Sequence, residues 1–137
     1  VEDVGRIIHS CGLYQTKARD LVACSRMLLE QHGGKVPDTM EALTALPGVG
    51  RKTANLVLGD IFHKPAVVAD THCIRITGLL GLTDGSKEPV KVEMQLRRVL
   101  PPEESNDFCH RLVLHGRAVC IARRSVWPAA PSATGVF

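Results

Sequence analysis

Leu46-Pro47-Gly48-Val49-Gly50-Arg51-Lys52-Thr53-Ala54-Asn55 reads as a tight hairpin between two helices. Asp38 is the expected N-cap of the first helix, with Glu41 three residues on as its capping-box partner. Pro47 stops that helix, and Gly48 and Gly50 reach backbone angles that other residues resist. The second helix starts at once. Its Ala54, Val57, Leu58 and Ile61 fall at i, i+3, i+4 and i+7, one apolar face. The hairpin therefore sits at a helix N-terminus with its glycine N–H groups uncovered. Such a terminus binds anions, phosphate among them. Arg51 and Lys52 add positive charge at the same end.

Upstream, Val1–Ser10 reads as the end of a helix, and Cys11-Gly12-Leu13-Tyr14 as a break. Gln15 or Thr16 opens a helix that runs to about His32, with Leu21, Cys24 and Leu28 on one face. Gly33-Gly34 ends it. Downstream, a loop from His63 to Ala69 leads to Asp70, placed to cap the next helix, whose apolar face is Cys73, Ile76, Thr77 and Leu80. Pro89 suits the first turn of another helix, with Val92, Leu96, Val99 and Leu100 inward. Pro101-Pro102 breaks that one. Ser105 starts a last helix carrying Cys109, Leu112, Val113 and Gly116. No segment alternates like a strand, so the expected fold is all-α.

The chain has 137 residues, 45% hydrophobic and 4% aromatic, which suits a helical core of aliphatic side chains. No apolar run approaches the roughly 18 residues of a membrane span, and no export signal stands at the start. A net charge of +3 points weakly to nucleic acid. Its placement says more, since Arg97, Arg98, Arg111, Arg117, Arg123 and Arg124 crowd the second half; a solvated face is the plainer reading of such charges. The five cysteines lack the spacing of a small disulfide domain and read as reduced and intracellular.

The hairpin at Leu46–Asn55, followed by Val68-Ala69-Asp70-Thr71-His72, resembles the helix-hairpin-helix DNA glycosylases. Lys52 and Asp70 stand 18 residues apart, as the lysine and aspartate do in the endonuclease III branch. Leu114-His115-Gly116-Arg117 and Cys120-Ile121-Ala122-Arg123 resemble that branch too, and the match runs from about Val4 to Arg124. The resemblance implies two helical lobes with a cleft between them: a hairpin lobe over residues 1–69 and a second lobe over 70–124. Residues 125–137 lie past the match and, with Pro128, Pro131, small residues and no acid or base, read as an irregular tail. The resemblance also implies that the chain lacks helices which the family carries ahead of Val1, among them part of the base pocket.

By that resemblance Lys52 is the catalytic nucleophile and Asp70 the catalytic carboxylate. Leu13, Gly48, Val49, Gly50, Arg51, Thr53 and His72 are the DNA-binding residues. Leu13-Tyr14 matches a family loop that wedges into DNA, and a core anchor is the competing reading. An ammonium is no nucleophile, so Lys52 must shed a proton. Its first-turn position disfavours the cation by roughly 0.3–1 kcal/mol, and burial beside a flipped base acts in the same direction. The same terminus effect favours Asp70 as the carboxylate. Taken alone, a lysine there is usually a solvated cation, Asp70 only a cap, and His72 a structural hydrogen-bonding residue.

The family's 4Fe-4S cluster requires four thiolates. Cys120 matches its first ligand, Trp127 stands where the second belongs, and no cysteine follows. No cofactor is therefore expected, and the abrupt tail suggests a truncated or frame-shifted gene end. Cys109, His110, His115 and Cys120 do not suit zinc, because Cys109 and His110 are adjacent on a helix and point apart.

The function implied is base-excision repair: a bifunctional glycosylase and abasic-site lyase removing oxidised pyrimidines. The presence of Lys52 sets it apart from the adenine-mismatch relatives. The partner is double-stranded DNA with damaged bases or abasic sites, acted on by a monomer. The location is cytoplasmic, of bacterial type, and no membrane is involved. The alternatives are a non-catalytic helix-hairpin-helix module that only binds the DNA backbone, and an inactive fragment.

Overall fold

The computed structural model of the chain describes residues 1–122. The readings made for Arg123, Arg124, Trp127 and the tail lie outside the described residues. Among the described residues all regular structure is helical, and the chain divides into two compact units after Phe62.

The first unit holds α1 (Glu2–Ile7), α2 (Tyr14–His32), α3 (Met40–Thr44) and α4 (Arg51–Asp60). α1 packs on α2 where the buried Gly5 meets Ala18 and the Tyr14 ring. α2 closes at Gly33, which takes the left-handed conformation, while the Gly34 N–H donates to the Leu28 carbonyl at 2.9 Å. The expected apolar face of α2 is not covered. Ala18 is its buried residue, and Leu21 is 51% exposed.

α3 and α4 pack as the expected helix pair, with three shifts of register. Thr39, not Asp38, is the N-cap of α3, its Oγ1 accepting from the Ala42 N–H at 3.3 Å. Both residue types cap well; with the cap at Thr39, Glu41 falls one position short of the capping-box register. α3 also stops at Thr44, ahead of Pro47, where the Thr44 hydroxyl donates back to the Met40 carbonyl at 2.8 Å. In α4 the buried set is Ala54, Asn55, Leu58 and Gly59, and Ile61, just past the helix end, is 65% exposed.

The second unit holds α5 (Thr71–Leu79), α6 (Pro89–Val99), a short 3₁₀ turn at Pro102–Glu104 and α7 (Ser105–Ala118). Its core joins Val67, Val68 and Ala69 to Cys73, Ile76, Val92, Leu96, Cys109, Leu112 and Cys120. This explains why the division falls after Phe62 and not at 69/70: the loop before Asp70 is buried among the helices that follow it. Val99 and Leu80, expected inward, are 55% and 47% exposed, whereas Glu93 is buried and accepts from Arg97 Nε at 3.0 Å.

Candidate nucleic-acid interface

In the first unit the hairpin is closed by the Val49 N–H, which donates to the Leu46 carbonyl at 3.1 Å. Gly48 has φ +74°, and a Cβ on it would stand 2.8 Å from the Asp20 Cβ. The angle and the close approach both require glycine there. Gly50 is extended and forms the N-cap of α4, whose first intrahelical bond runs from the Ala54 N–H to the Gly50 carbonyl at 2.9 Å.

No side chain caps α4, whereas Thr39 caps α3 and Asp70 caps α5. The positive end of the α4 dipole, roughly half an elementary charge, is thus left without a side-chain acceptor. Gly48, Gly50, Lys52 and Thr53 are exposed around it, with Val49 and Arg51 half-buried. An oxyanion placed here meets N–H donors and two cationic side chains, with nothing that distinguishes one base sequence from another.

Leu13 carries two readings, a wedge into DNA and a core anchor. It is 81% exposed, so it is not a core anchor. It is also the N-cap of α2 with φ 58° and ψ 34°, a left-handed conformation that costs a non-glycine residue roughly 1–2 kcal/mol. A large apolar side chain held outward on a strained backbone fits insertion into a stacked, apolar partner.

In the second unit Asp70 stands at the N-terminus of α5. Its Oδ1 accepts from the Cys73 N–H at 2.7 Å, and its backbone N–H donates to the Val68 carbonyl at 3.0 Å. One carboxylate oxygen is thereby committed to holding the helix. His72 is half-buried, and its ring lies against Gly116 of α7, where a Cβ would collide with it.

Arg75 ties the rest together. Its Nη2 lies 3.4 Å from His72 Nδ1, and its Nη1 donates to Cys120 Sγ at 3.1 Å. A guanidinium has only donors, so this contact makes Nδ1 the acceptor nitrogen of His72. Sequence reasoning passed over Arg75. Its i, i+3 spacing from His72 was a faint signal, while Cys120, 45 residues on, gave none. It passed over Asp20 as well, because an acid on a helix surface carries no mark of what packs against it.

The thiols do not form a cluster-binding set. Cys73 and Cys109 are buried and hydrogen-bonded to each other. The bond from Cys109, reinforced by burial, pushes the Cys73 thiol far up, and the same bond lowers Cys109. Cys11 and Cys24 belong to the other unit. Cys120 is buried in the second core. The donor set described, one thiol at the expected position and a mutually bonded pair elsewhere, does not fit a four-thiolate cluster.

Three comparisons place the chain among known proteins. The family model described as "HhH-GPD superfamily base excision DNA repair protein" matches residues 1–102. Endonuclease III of Escherichia coli (strain K12) is 47% identical over 124 residues, covering 90% of this chain and 58% of the relative. Endonuclease III of Haemophilus influenzae is 46% identical over 117 residues, covering 85% and 55%. The chain thus spans little more than half the length of these relatives. Among solved structures, a trapped endonuclease III–DNA covalent intermediate superposes with a TM-score of 0.87 at 38% identity, over 95% of this chain and 61% of that one. With its glycine hairpin, its helical pair and this match over most of its length, the chain belongs to the HhH-GPD superfamily of base excision DNA repair proteins.

Proposed function

We propose that this chain acts on DNA as a bifunctional glycosylase and abasic-site lyase, with oxidised pyrimidines as the bases removed. The observation that carries the reading is the exposed amine of Lys52 in the first turn of a helix that no side chain caps. The hairpin holds a phosphate while the damaged nucleotide is flipped out of the stack. The neutral Lys52 amine then attacks the sugar C1′ carbon. The bonding pair leaves with the base, which takes up a proton, and the lysine remains joined to the opened sugar as a Schiff base. Loss of a C2′ proton expels the 3′ phosphate and cuts the strand. Water then releases the lysine. The Asp70 carboxylate stabilises the cationic sugar on the way.

Supporting this reading, two of the similar solved structures are complexes of endonuclease III with DNA, one of them covalent. No helix among the described residues is long and apolar enough to cross a membrane. We take the working form as a monomer that needs no cofactor for this chemistry. Borohydride reduction during incubation with an abasic duplex tests the function: a protein–DNA adduct supports it. DNA binding with no adduct assigns the chain to backbone binding alone, and neither result leaves an inactive fragment.

Two expected results belong to this reading. Gly50 has an extended backbone, and a Cβ on it meets nothing within 4 Å, so Gly50→Val folds as the parent does. The added methyls stand where a phosphate would approach, and affinity for an abasic duplex falls about tenfold or more. Equal affinity at matched salt rejects the hairpin as the phosphate site. The second result concerns iron. Protein of this sequence, purified anaerobically, gives no iron or sulfide above background and no broad visible absorbance. A stoichiometric cluster would show that its cysteines had been misjudged.

A further inference from the structure

Asp20 is the acid set against the hairpin. It sits on α2, and its carboxyl carbon and Oδ2 lie 3.2 and 3.1 Å from the place a Gly48 Cβ would take. It makes no hydrogen bond or ion pair among the described residues. Together with Lys17, Pro47, Gly48, Val49 and Thr53 it lines a cavity of 390 Å³ beside the hairpin. A carboxylate that neither caps the helix nor pairs directly with a cation brings negative charge to a surface otherwise suited to anions.

We propose that Asp20 sets the strength of phosphate binding at the hairpin, its charge repelling the DNA backbone and keeping affinity below what the hairpin alone would give. The inference rests on the reading of the hairpin as the phosphate site. A lowered affinity serves an enzyme that must leave its product, because release competes with each new encounter. The repulsion is modest: at a separation of ~8 Å through bulk water it corresponds to about a two- to threefold change in affinity.

The test measures affinity of the full chain for a duplex with a tetrahydrofuran abasic analogue, at about 50 and about 200 mM salt. Asp20→Asn keeps the shape that packs on Gly48 and removes the charge. Asp20→Ser removes the charge with a smaller side chain. Both neutral variants are expected to bind about two- to threefold more tightly at low salt, with the gain shrinking at high salt as the charge is screened. Affinity equal to or below the parent's overturns the proposal. So does a gain that salt leaves unchanged, or one shown by Asn and not by Ser, since either assigns the effect to packing. Gly50→Val, run alongside, keeps the two readings apart. If it binds like the parent, the hairpin is not the phosphate site; if it binds weakly while the Asp20 variants match the parent, only the role of Asp20 fails.

Discussion

Lys52→Gln protein forms no borohydride-trapped adduct with abasic DNA, and its strand-cutting rate falls by at least about 10³-fold, the scale on which loss of a nucleophile is felt. Lys52 is exposed in the first turn of α4, at the end where the helix dipole disfavours a cation. Glutamine keeps the helix propensity and the polar, unbranched stem of the side chain, one atom shorter, but has no amine to attack C1′. DNA binding survives within a few-fold, because the hairpin holds phosphate chiefly through its backbone and only one cation has been removed. The salt dependence of binding loses at most about one unit of slope. An adduct that persists in the variant would assign the Schiff base to another amine and remove the central residue of the mechanism.

The hairpin and its two helices were legible because their signals are local. Gly48, Gly50 and the spacing of Ala54 and Leu58 lie within a dozen residues and act through backbone angles and one helical face. The Asp70 cap was legible for the same reason, since the bond to the Cys73 N–H spans three residues. Register was harder. Asp38 and Thr39 are both good caps, and only the chain's path into α3 selects Thr39. Ile61 and Val99 continue apolar patterns past the point where a neighbour covers them, and periodicity does not report where packing stops. What the sequence did not reveal is long-range. The approach of Asp20 to Gly48, of Arg75 to Cys120 and of Cys73 to Cys109 joins residues tens of positions apart, and each depends on how helices pack. Leu13 is intermediate: the break at Gly12 was plain, but its outward, left-handed conformation was not.

Asp70→Asn separates the duty that the structure shows for this residue from the one that the proposed reaction adds. The first is mechanical. Oδ1 accepts from the Cys73 N–H at 2.7 Å and fixes the start of α5. Asparagine caps helices about as well as aspartate, so the variant keeps α5 and the core beneath it, whereas alanine would cost about 1 kcal/mol at the cap. The second duty is electrostatic and belongs to the proposed reaction: a full negative charge near the sugar as its glycosidic bond breaks. Asparagine offers a dipole there and no charge. Single-turnover base excision should therefore slow by about 10²-fold, comparable with loss of one preorganised electrostatic contact. Trapping on a preformed abasic site should persist, because no base has to leave and Lys52 still supplies the amine. Binding of uncleavable abasic DNA should not weaken, since a negative charge has been removed. An excision rate equal to the parent's, with α5 intact, would reduce Asp70 to a helix cap. Loss of excision and trapping together, with the fold preserved, would mean that Asp70 acts on the lysine and not on the sugar.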